Sequence, residues 1–124
     1  MQNLNSKKNH DFLVLMDFSE ASYKALKYSI SMAKMIPSHI HVLYVANGEE
    51  VVDTENGIIA LRAIEEETRK INKTLKSIVE IINVEGLSST AHYQFGNVKH
   101  VLKSQIDQIQ PELVILGKKK KVFS

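Results

Sequence analysis

Apolar positions along this chain alternate between short continuous runs and longer stripes with three-four spacing. FLVLM at 12–16 is apolar throughout, as in a parallel strand buried on both faces. It ends at Asp17, and Ser19 offers an N-cap hydroxyl for the next element. A helix is predicted over 20–36, where Ala25, Leu26, Ser29, Met32, Ala33 and Ile36 form a stripe whose small residues let it lie close on a sheet. Pro37 closes it, and HIHVLYV at 39–45, rich in β-branched residues, reads as the second strand. An acidic loop with two glycines, 47–57, leads into a long helix over 58–84. Its stripe is Leu61, Ile64, Ile71, Leu75, Ile78 and Ile82, with Thr68 filling the gap, and Gly86 is placed to cap it. A third strand follows at 89–95. Gly96 and Asn97 then turn the chain into a helix over 98–110 with Val98, Val101, Leu102, Ile106 and Ile109 as its buried face. Pro111 stops that helix, and ELVIL at 112–116 is a fourth strand followed by Gly117.

The order β-α-β-α-β-α-β, with a helix in every crossover, predicts parallel strands and right-handed connections, an α/β doubly wound parallel sheet. In such a sheet, ligands bind past the carboxyl ends of the strands where the winding direction reverses. Asp17 and Gly117 stand just past two such ends.

The bulk numbers narrow the function classes. At 124 residues the chain has enough sequence for one core. No apolar run reaches the ~18–20 residues a membrane helix needs. The polar start lacks a secretory signal's apolar segment, and a cytoplasmic location is expected. With no cysteine, disulfides, thiolate metal sites and cysteine nucleophiles are excluded. Lys118 to Lys121 supply four of the 16 lysines and arginines, and the remaining 12 face 14 acidic residues. The net charge of +2 therefore reflects one local cationic run, which argues against a specific nucleic-acid surface.

FLVLMDFSEASYKALKYSISMAK, IHVLYVAN and PELVILG, in this order, resemble the universal stress protein family. The resemblance implies a Rossmann-like, adenine-nucleotide α-hydrolase-like fold with strand order 3-2-1-4-5. Four strands are expected here, in order 3-2-1-4, with the fifth missing and residues 1–124 forming a single domain incomplete at its C-terminal end. It also implies an ATP site. There Asp17 matches the family's carboxylate, Val45 the residue beside the base, and Leu116 and Gly117 the start of a glycine loop. The match departs from the family at Lys120, which falls on the loop's second glycine, and at Leu15, where a proline is common. The chain ends at Ser124, before the loop's last glycine and hydroxyl residue.

Each candidate has a plainer reading. Asp17 can line a ligand or accept hydrogen bonds at the helix entry near Ser19. Gly117 can admit a phosphate or simply turn the chain. The lysine run is expected to be a solvated end. His39 and His41 share one strand face, but a metal site needs further ligands that the sequence does not nominate. His92 and His100 read as isolated, and structural or surface roles are expected for all four. Ser19, Ser22 and Ser29 show no base partner. Glu65, Glu66 and Glu67 fan out around a helix as a solvated face. Tyr28, Met32 and Met35 read as packing residues, and the long helix as packed on the sheet.

Two functions stay open. One is a stress-response regulatory domain with weak or residual ATP binding, with magnesium as a possible companion and no cofactor needed for folding. The other is an interaction or scaffold module that has lost the nucleotide, with a second copy or a protein partner covering the open sheet edge. No dedicated catalysis is expected, and FSEASYK lacks the histidine or serine-glycine signature of the related nucleotidyl transferases.

Overall fold

The computed structural model describes residues 10–46 and 57–117. The elements, in chain order, are β1 (His10–Leu15), α1 (Glu20–Met35), β2 (Ser38–Ala46), α2 (Gly57–Val84), β3 (Ser88–Phe95), α3 (Val98–Ile109) and β4 (Leu113–Leu116). All four strands are parallel, in the order β3-β2-β1-β4. The winding therefore reverses at β1: the chain steps outward from β1 to β2 and β3, then crosses back to place β4 on the other side.

Right-handed crossovers put α1 and α2 on one face of the sheet and α3 on the other. The first face holds the main core. Phe12, Val14 and Met16 from β1 and Ile40 and Val42 from β2 meet Ala25, Leu26 and Ala33 of α1 and Ile71, Leu75, Ile78 and Ile82 of α2. The intervening residues Leu13 and Leu43 point the opposite way and are equally buried, as the continuous apolar runs require.

Ser19 caps α1 by accepting the Ser22 N–H at 3.1 Å, and Asn97 caps α3 by accepting the His100 N–H at 3.1 Å. Gly86 ends α2 at φ 87°, a conformation that costs a residue without a Cβ little. The Leu87 N–H then reaches back to the Ile82 carbonyl at 3.3 Å. The last helix stops at Ile109, one residue before its predicted end. Gln110 precedes Pro111, which disfavours the helical region, and it takes φ 50° instead.

Three packing expectations are corrected. Tyr28 and Met35 are exposed, while Met32 packs against the core: α1 buries a narrow stripe, and these two residues fall on its far side. In α2 the buried positions begin only at Ile71, and Leu61 is 61% exposed, so the first turns of this 28-residue helix overhang the sheet. The apolar face of α3 is only half-buried, Val98 is exposed, and Gln105 is the buried residue of the helix. Among the described residues α3 packs on its face of the sheet with no second helix beside it, so its stripe is covered from below and not from the flank.

Candidate functional site

The register aligns Leu15 of β1 with Leu43 of β2 and with Leu116 of β4. Asp17 thus lies two residues past β1, Gly117 one residue past β4, and Val45 two residues beyond the last β2 position that β1 covers. Neighbouring strands lie ~4.8 Å apart, so these residues border one crevice at the reversal point. The Leu43 carbonyl accepts the Met16 N–H at 2.7 Å, toward β1. Backbone groups alternate along a strand, so the N–H and C=O of Val45 face the same way, into the space past the end of β1.

Asp17 is exposed, and its Oδ1 accepts the Ser19 N–H at 2.9 Å. The helix-entry reading is therefore realised. Ser22 is buried beneath it: its hydroxyl donates to the Ser19 carbonyl at 2.9 Å and lies 3.2 Å from Met16 Sδ.

Gly117 has a packing reason to be glycine. A Cβ there would stand 2.6 Å from the Ala21 carbonyl carbon and the Ser22 nitrogen and 2.7 Å from the Ala21 oxygen. The end of β4 thus presses against the first turn of α1, and only a bare α-carbon fits. Residues 118–124, which contain the lysine run and Lys120, lie outside the described residues.

Sequence reasoning did not single out Phe18. It sits beside Asp17 in the left-handed region at φ 64°. Its ring stacks on Tyr44 with centroids 5.1 Å apart and lies 6.5 Å from Tyr23. The stack continues through Tyr93, 5.7 Å from Tyr44, to Phe95. This aromatic row lines the α1/α2 side of the strand ends. The signal in the sequence was a residue with no helical role wedged between a strand end and an N-cap.

A second polar cluster lies on the α3 face of the sheet, running from the start of β1 to the middle of β3. His41 lies between Asp11 of β1, with Nε2 3.0 Å from Oδ1, and His92 of β3, with Nδ1 3.0 Å from Nε2. His39 meets Ser88 and Thr90 at 2.7 Å each, and its ring is 4.7 Å from that of His41. The expectation that His92 is isolated is thus corrected: β3 pairs with β2 in a register that sets His92 beside Leu43, two residues along β2 from His41 and on the same face of the sheet. Burial, followed by the adjacent His41, pushes the His39 and His92 imidazoles below their ordinary value, and Asp11 partly offsets this at His39. Among the described residues no group of three or more such side chains is arranged to hold a metal ion.

A shallow depression bounded by His100, Lys103, Ser104, Asp107 and Gln108 of α3 involves none of the crevice residues. No helix among the described residues is long and apolar enough to cross a membrane.

The fold has close counterparts among solved structures. The universal stress protein UspA from Lactobacillus plantarum superposes with a TM-score of 0.77 at 16% identity, over 94% of this chain and 81% of that one. A universal stress protein family member from Arabidopsis thaliana with AMP bound gives 0.66 at 16% identity, over 88% of this chain and 76% of that one. A universal stress protein in complex with cAMP gives 0.63 at 12% identity, over 87% and 72%. A comparison with curated proteins returns no match. The sequence profile of the universal stress protein family matches residues 8–123, nearly the whole chain, and the chain belongs to that family.

Proposed function

We propose that the protein is a stress-response regulatory domain that binds an adenine nucleotide weakly at the carboxyl end of β1. The single observation that carries this reading is the convergence of Asp17, the Val45 main chain and the Leu116–Gly117 strand end on one crevice at the reversal point. The ligand's ribose would meet Asp17, and its base the Val45 N–H and C=O. Two structural relatives carry AMP or cAMP, which supports an adenine ligand. ATP with magnesium is the fuller form of the same proposal. The proposal includes no catalytic step. A cytoplasmic setting goes with this reading.

A second reading is favoured by Gly117. Its fit against the backbone of α1 explains the glycine without any phosphate. On that reading the protein is an interaction module that has lost its nucleotide, and a second copy or a protein partner covers the outer edge of β4. That strand pairs only with β1 among the described residues.

Titration calorimetry with AMP, cAMP and ATP, with and without magnesium and at two salt concentrations, separates the two. Saturable binding that survives moderate salt and is lost in Asp17→Ala supports the nucleotide site. Heat seen only at low salt and unchanged by that substitution supports the interaction module.

A further inference from the structure

Four of the chain's five histidines stand on the sheet, His10, His39 and His41 in the first halves of β1 and β2 and His92 just past the middle of β3. The nucleotide reading uses none of them. His10 pairs with Glu112 at 3.2 Å, and Glu112 also accepts the Asp11 N–H at 2.8 Å, which ties β4 to β1. The other three lie on the face that α3 covers, in a chain running Asp11, His41, His92 across three adjacent strands. The His41 and Asp11 side chains are 14% and 26% exposed. The charged groups of α3, Lys99, His100, Lys103 and Asp107, are all exposed, so the groups facing His41 are Asp11, His39 and His92.

The donors and acceptors in this chain fix its protonation states. Asp11 accepts, so His41 Nε2 carries a hydrogen. In neutral His41, Nδ1 is then bare and accepts from a protonated His92 Nε2. One added proton fits: His41 becomes an imidazolium that donates to Asp11 on one side and to His92 on the other, and His92 shifts its hydrogen to Nδ1. A second proton does not fit. It would set two N–H groups of two cations head-on at 3.0 Å.

We propose that Asp11, His41 and His92 form a one-proton relay that clamps edge strand β3 to β2 near neutral pH and loosens it when a second proton arrives. His92 lies on β3, whose only ladder partner among the described residues is β2, so the strain of the second proton falls on that edge. The single protonation is tolerated because Asp11 balances it. The clamp therefore holds with no proton or one proton added to the pair and yields with two. Acidification is then read as exposure of the β3 edge to other chains.

The test is a pH series of histidine-ring nitrogen–proton spectra, joined to amide exchange of β3. In the wild type, His92 should bear its hydrogen on Nε2 near neutral pH. It should take up its own proton at a lower pH than an ordinary histidine does. Exchange at residues 91–94 should rise about tenfold through that transition, relative to Val14 and Val42 in the sheet centre. His92→Gln keeps a donor to His41 but cannot titrate, so it should retain protection at neutral pH and lose the acid-induced rise. His92 titrating as a free histidine in the wild type overturns the proposal, as does a His92 transition that does not move in His41→Gln. So does an acid-induced rise that persists in His92→Gln. The wild-type ring spectra decide the tautomers even if either variant fails to fold.

Discussion

The ring of Phe18 stacks on that of Tyr44 at 5.1 Å although the Phe18 backbone stands at φ 64°. A bulky residue in the left-handed region costs on the order of 1–3 kcal/mol and persists where surrounding contacts hold it. The stack supplies that hold. Phe18→Ala keeps the backbone cost and loses the stack, so a loss of about 2 kcal/mol is expected. Phe18→Gly also loses the stack but relieves the backbone, so its loss should be smaller by about 1 kcal/mol. Urea denaturation of the three proteins measures the order. Equal losses in the two variants would mean the backbone is not strained.

Gly117→Ala tests the contact between β4 and α1. The new methyl meets main-chain atoms of Ala21 and Ser22, which cannot rotate away. A destabilisation of about 1–3 kcal/mol is expected, from thermal melts without any nucleotide. A neutral outcome would show that β4 can slide from α1, and would leave phosphate approach as the reason for the glycine.

Stability should also fall on the acid side. The His39 and His92 imidazoles are held below their ordinary value of 6.5 in the folded protein, chiefly by burial and then by His41. As pH drops through 6.5 the unfolded chain gains protons at these positions before the folded chain does. Folding is therefore favoured above that pH and loses support as pH falls toward the folded-state values, where the loss levels off. Denaturant midpoints between pH 8 and pH 5 check the sign, and replacing both residues with glutamine should flatten that part of the profile.

The alternation of apolar runs and stripes made the element order and the parallel sheet readable, because burial on both faces leaves 12–16 and 42–46 as continuous apolar runs. The strand ends were readable for the same reason: Asp17 and Gly117 mark where apolar runs stop. Pairing between strands far apart in sequence was not. His92 gave no local sign that it would stand by His41, since that contact depends on the β2–β3 register. Phe18 was missed because positive φ at a non-glycine is set by the packing of Tyr44 and Tyr23. The α3 stripe was overread: periodicity marks an apolar face but does not say how much lies against it.

The two halves of α2 share one apolar stripe but differ in what lies beneath it. Ile82 is fully buried between β3 and the rest of the core, whereas Leu61 is 61% exposed on the overhanging turns. Ile82→Ala removes packed atoms and leaves a cavity, and a loss of about 2–5 kcal/mol is expected. Leu61→Ala removes a side chain already in water and raises helix propensity, so a change within about 0.5 kcal/mol is expected. Denaturant unfolding of both variants gives the comparison. Should Leu61→Ala cost as much as Ile82→Ala, the first turns of α2 are covered in solution, and sedimentation at several concentrations would then show whether a second copy covers them.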